Sequence, residues 1–135
     1  MLAGLQIARV NGDSMQPYLH HNQYVLYQSN FSAPKHGDVI LFERDQKIYI
    51  KRVYGVPHDT VEITDVGLVL VNGAPLSMDG LKVMGKTQKN DMTDPVVLSD
   101  KEYFVLGDHR TVSLDSRNTE FGNVQQQEII GVLLF

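Results

Sequence analysis

A chain of 135 residues with 42% apolar and 21% charged side chains is sized and composed for one globular domain with its own core, not for a disordered segment. Its formal net charge of −4 and its scattered lysines and arginines argue against a nucleic-acid surface. With no cysteine there is no disulfide framework, thiol chemistry or thiolate metal site, and no run approaches the ~18 apolar residues that a membrane span needs.

From the N-terminus, Leu2 to Ala8 is short, is interrupted by Gln6 and lacks the charged start and long apolar run of a signal peptide. The stretch Gly12-Asp13-Ser14-Met15-Gln16-Pro17-Tyr18-Leu19 follows. There an apolar-leaning approach meets a Gly-Asp turn that delivers a serine, and a proline three residues later stiffens the exit. Tyr24 to Tyr27 reads as a short strand, and Val39 to Phe42 as a strand buried on both faces. Asn30 to Asp38 between them is a loop carrying Pro34 and Gly37. Lys47 to Tyr54 alternates, Val61 to Ile63 alternates again, and Gly67 to Val71 meets Asn72-Gly73, a strong hairpin turn. The polar stretch 78–95 reads as an inserted loop or loosely paired hairpin within a single domain spanning 1–135. Tyr103 to Leu106 is another buried strand, and Ile129 to Phe135 has the length of one more. Helix signals are thin: single turns over Met15 to His21 and Thr119 to Val124, and one more capped near position 113. The fold class is mostly β: coiled antiparallel sheets or a partial barrel with few short helical turns.

In the strand Lys47 to Tyr54, Lys51 shares its face with Tyr49 and Val53. Apolar and aromatic neighbours desolvate a lysine and lower its pKa, as a base working near neutral pH requires. Alone, such a lysine more often snorkels to water, and a turn serine more often caps backbone groups. Paired, Ser14 and Lys51 are candidates for nucleophile and base.

Four stretches support the pairing. Ser14-Met15-x-Pro17-x-Leu19 resembles the nucleophile box of type I signal peptidases, and Gly37-Asp38-Val39-Ile40-Leu41-Phe42 is similar to their structural box. Lys51-Arg52-x-x-Gly55-x-Pro57-x-Asp59 resembles their lysine box. Gly107-Asp108-His109-Arg110-x-x-Ser113-x-Asp115-Ser116-Arg117 resembles their C-terminal box. The order matches, and the short Ser14-to-Lys51 separation resembles the compact members from Gram-positive bacteria. Tyr18, His58 and His109 depart from the pattern, standing where threonine, glycine and asparagine are usual.

The resemblance implies a serine endopeptidase with a Ser-Lys dyad, in which Lys51 takes the Ser14 proton and Ser113 orients the lysine amine. The Ser14 N–H would be one oxyanion donor. Some family members supply a second from a hydroxyl two residues earlier, where this chain has Gly12, leaving that donor to backbone or water. Asp108, Arg110, Asp115 and Arg117 alternate in sign. They read as an ion-pair cluster fixing the Ser113 loop, with Arg52 as a further partner; a solvated charged turn is the alternative. Met15 is a candidate for lining a substrate pocket, together with Tyr24 to Leu26.

The spacings of His20, His21, His36, His58 and His109 match no zinc pattern, and neither metal nor cofactor is expected. The implied partners are the signal peptides of exported preproteins, bound as an added strand, and a membrane surface; no nucleic acid is implied. The family's N-terminal anchor is missing, so the chain is expected to be a trimmed catalytic domain on the extracytoplasmic face of the cell membrane. Leu2, Leu5 and Ile7 would then lean on lipid or pack as a first strand. Two other functions compete: a self-cleaving Ser-Lys repressor-type peptidase, and a non-cleaving or specialised peptidase-like chaperone for surface or pilus proteins.

Overall fold

The computed structural model describes residues 3–135, so Leu2 lies outside the described residues. In chain order the strands are β1 (Leu5–Arg9), β2 (Tyr24–Gln28), β3 (Val39–Arg44), β4 (Lys47–Gly55), β5 (Thr60–Ile63), β6 (Val69–Val71), β7 (Ala74–Pro75), β8 (Val96–Val97), β9 (Glu102–Leu106), β10 (Val124–Gln125) and β11 (Ile129–Leu133). They build an antiparallel seven-stranded sheet, ordered β1-β2-β11-β3-β4-β9-β10, and a four-stranded one, ordered β7-β6-β5-β8. The mostly β expectation therefore holds, with open, coiled sheets and no α-helix among the described residues. No helix among them is long and apolar enough to cross a membrane.

The apolar runs find their cause in three clusters. Ile40, Phe42, Val53, Tyr103, Val105, Val124 and Ile129 fill one face of the large sheet. On the other face Phe104 and Leu106 of β9 and Tyr54 of β4 meet Val61, Ile63, Met92 and Leu98, joining the two sheets. Successive residues of a strand point to opposite faces, so Tyr103 to Leu106 must be apolar throughout to serve both clusters. Met15, Leu19, Val10, Val25 and Val39 form the third cluster, beneath the serine turn. The Asn72-Gly73 hairpin forms as expected between β6 and β7, both residues at positive φ (53° and 86°).

Met15 to His21 forms the single turn expected, closed by Leu19 N–H to the Met15 carbonyl at 2.9 Å; Thr119 to Phe121 is a turn, closed by Gly122 N–H on the Asn118 carbonyl at 2.8 Å, and Val124 belongs to β10. The one 3₁₀ turn is Gln126–Glu128, and the residues around position 113 form no helix. Residues 78–95 run as a loop. Their single isolated bridge joins Met84 to His109, with Met84 N–H on the Asp108 carbonyl (2.8 Å) and Arg110 N–H on the Met84 carbonyl (2.7 Å).

Candidate active site

Met15 and Leu19, only 2% and 3% exposed, anchor the serine turn in the core and leave Ser14 half-buried between them and the surface. Gly12 begins the bend at φ +95°, a conformation that disfavours a Cβ. Met15 belongs to the core beneath the turn. It also lines the cleft beside Ser14. Tyr24 to Leu26 are absent from the cleft wall, where Tyr27 stands instead.

Lys51 enters from β4, paired across the ladder with Ile40 of β3. It is 3% exposed, and its Nζ donates to Ser113 Oγ at 3.1 Å. Burial lowers its pKa from 10.5 to about 8, against an upward pull from Asp115 and with smaller downward pushes from Arg117 and Lys47. Ser14 and Lys51 line one cleft of about 650 Å³, walled by residues Ile7 to Asn11 and Gln46 to Ile50 and edged by Val112 and Leu114. Ser14 Oγ makes no hydrogen bond to Lys51 among the described residues; in unliganded sites such contacts are often long and tighten when substrate binds.

Gly107 is the residue that lets these parts approach, and the strand-and-turn pattern did not single it out. A Cβ there would overlap Ser113 Oγ and lie 2.7 Å from the Ser14 carbonyl oxygen. Two residues on, His109 donates its N–H to that same carbonyl at 2.9 Å, and its Nδ1 lies 3.2 Å from the Asp13 carbonyl. The Gly12 N–H donates to His21 Nδ1 at 2.8 Å. It is therefore already engaged there. The Ser14 N–H donates to none of the described residues.

Among these charged residues Arg52 with Asp108 and Arg117 with Asp115 form two ion pairs, and Arg117 Nη2 also donates to the Arg110 carbonyl (2.7 Å). Arg52 grips Asp108 through Nε (2.9 Å) and Nη2 (2.8 Å), and its Nη1 donates to the Gly37 carbonyl (2.9 Å). Arg117 holds Asp115 through Nε (2.9 Å) and Nη2 (3.1 Å), while Asp115 also accepts the Gly107 N–H (3.0 Å). Both carboxylates are fully buried, so a solvated turn does not describe them. Arg110 meets no carboxylate among the described residues; it donates to the Gly107 carbonyl (3.0 Å), Thr87 Oγ1 (2.7 Å) and Tyr54 Oη. Tyr18, unexpected in the sequence, lays its ring 4.8 Å from the Arg52 guanidinium, a cation–π contact tying the serine turn to the lysine strand.

Among the histidines, His58 occupies a left-handed turn at φ +76°, and its Nε2 lies 3.0 Å from Asp100. His36 pairs with Asp59 at 2.6 Å. No group of three His, Cys, Asp or Glu side chains among the described residues is arranged to hold a metal ion.

Residues 2–135 match the family described as signal peptidase, peptidase S26. Signal peptidase I S of Bacillus subtilis (strain 168) is 37% identical over 139 residues, covering 93% of this chain and 73% of that protein. A signal peptidase I of Bacillus amyloliquefaciens is 36% identical over 138 residues, covering 93% and 72%. The crystal structure of a signal peptidase I from Enterococcus faecalis V583 superposes with a TM-score of 0.61 at 32% identity, covering 77% of this chain and 99% of that one.

Proposed function

The chain belongs to the signal peptidase, peptidase S26, family, and we propose that it removes signal peptides with Ser14 as nucleophile and neutral Lys51 as general base. The observation that carries this reading is the buried Lys51 amine, lowered to about 8 and held by Ser113 in the cleft that Ser14 lines. Neutral Lys51 takes the hydroxyl proton as Ser14 Oγ bonds to the scissile carbonyl carbon. The resulting oxyanion draws on the unengaged Ser14 N–H. Collapse breaks the C–N bond, and the leaving amine receives its proton from Lys51. Water, deprotonated by the same amine, then hydrolyses the ester and restores the Ser14 hydroxyl.

The cleft suits an extended substrate. β1 is an edge strand, and β9 pairs with β4 only from Arg52 onward. Main-chain donors and acceptors along β1 and along Lys47 to Lys51 therefore face a gap suited to an added strand. We take the substrate to be the C-terminal end of a signal peptide, with small residues at the first and third positions before the cut. Ile7 (68% exposed), Ile48 (48%), Val112 (54%) and Leu114 (49%) give the cleft an apolar rim. That rim supports work beside a membrane surface, which we place on the extracytoplasmic side.

Cleavage of a signal-peptide substrate in detergent by the wild type, Ser14→Ala and Lys51→Ala tests this reading. Each variant should lose at least ~10³-fold in kcat, as when one member of a nucleophile-base unit is removed. Wild-type rates in either variant would refute the dyad.

A further inference from the structure

The hydrogen bonds around Ser14 leave a question that the dyad does not answer: what fixes a bend that begins on a glycine. Gly12 is at φ +95° and a Cβ on it would meet nothing within 4 Å, so packing does not hold it. Downstream, the turn is well tied. Asp13 O accepts the Gln16 N–H at 3.2 Å and faces His109 Nδ1, and Ser14 O accepts the His109 N–H at 2.9 Å. Upstream, the tie on Gly12 itself is the 2.8 Å bond from its N–H to His21 Nδ1.

His21 is well placed to give that tie rigidity. It sits in a turn where the His20 N–H meets Gln23 Oε1 at 2.9 Å and the Gln23 N–H meets the His20 carbonyl at 3.1 Å. The same turn is clamped to the approach strand by Val10 N–H to Gln23 O and Asn22 N–H to Val10 O, both at 2.8 Å. The acceptor for the Gly12 N–H is thus presented from a fixed frame, and accepting at Nδ1 calls for the tautomer with its proton on Nε2. His21 does not line the cleft.

We propose that His21 is a positioning residue for Ser14: by accepting the Gly12 N–H it locks the bend that aims the Ser14 hydroxyl and N–H into the cleft. The inference rests on Ser14 being the nucleophile. Holding a nucleophile in its reactive geometry affects turnover more than affinity, and His21 is not itself a lining residue of the cleft.

The test is steady-state cleavage of one signal-peptide substrate by the wild type, His21→Leu, His21→Asn and Ser14→Ala, with thermal midpoints for each. Leucine keeps the bulk without an acceptor, while asparagine returns an acceptor oxygen near the Nδ1 position. His21→Leu should lose about five- to tenfold in kcat with KM within about twofold and an unchanged midpoint; a tenfold loss is ~1.4 kcal/mol, the size of one hydrogen bond. His21→Asn should recover to within about twofold of the wild type. Wild-type kcat in His21→Leu, equal losses in both variants, or a loss confined to KM would each overturn the positioning role. If Ser14→Ala is inactive, such a result leaves the nucleophile assignment standing; if Ser14→Ala is active, the nucleophile assignment itself falls.

Discussion

Lys51 is asked to be buried and to remain useful as a base, and the same burial makes it a liability to the fold. Its folded pKa of about 8 lies below the ordinary 10.5, so between those values the unfolded chain binds the extra proton and raising the pH favours the fold. Below pH 8 the full penalty of a charged, buried amine is present. Lys51→Met should therefore be inactive yet more stable at pH 7 by about 3 kcal/mol, with the gain shrinking as the pH rises from 8 toward 10.5; denaturant titrations at pH 7 and 10 check it. The strand alternation made this residue legible, because Tyr49 and Val53 share its face. Tyr18 and Gly12 were not legible in the same way. The role of Tyr18 lies in its stacking on Arg52, thirty-four positions away, and the Gly12 N–H is consumed by His21, a contact that no local pattern announces.

The loop from Gly107 to Arg117 gathers the functional parts more than any strand does. Its ends are pinned by two buried ion pairs, Arg52 with Asp108 and Arg117 with Asp115, and its middle supplies Ser113 to the lysine. Removing one partner of such a pair strands a buried charge, so these arginines and aspartates serve rigidity at the site. Gly107 is the tightest point, because a methyl group there must displace Ser113 or the Ser14 carbonyl. Gly107→Ala should lower kcat by at least about tenfold, the cost of pushing a reacting group off its geometry. It should also move the acid limb of the pH–rate profile, because the Ser113–Lys51 contact is lost. Unchanged kinetics in that variant would show that the close approach does not matter. The box was legible as a motif, but the division of its charges into two pairs was not. Alternating signs along a turn do not say which arginine meets which carboxylate, and Arg110 turned out to meet none among the described residues.

At the scale of the whole molecule, β9 is the hinge of the architecture. Its Tyr103 and Val105 face one cluster and its Phe104 and Leu106 the other, so one strand holds the large sheet together and fastens the small sheet to it. Phe104 is 0% exposed, and Phe104→Ala should cost about 3–5 kcal/mol, measured as a shift in the denaturation midpoint. The longer strands were readable because their burial is written in runs and alternations. β7, β8 and β10 were not, since each is a two-residue strand defined by its partner and not by its own residues. What the molecule as a whole achieves is a dry, preorganised place for one neutral amine beside one serine. The pH dependence of kcat/KM for signal-peptide cleavage by the wild type tests that most directly. The account predicts an acid limb rising with unit slope and levelling near pH 8, the value to which burial lowers Lys51; a limb that keeps rising to the ordinary lysine value of ~10.4 would contradict it.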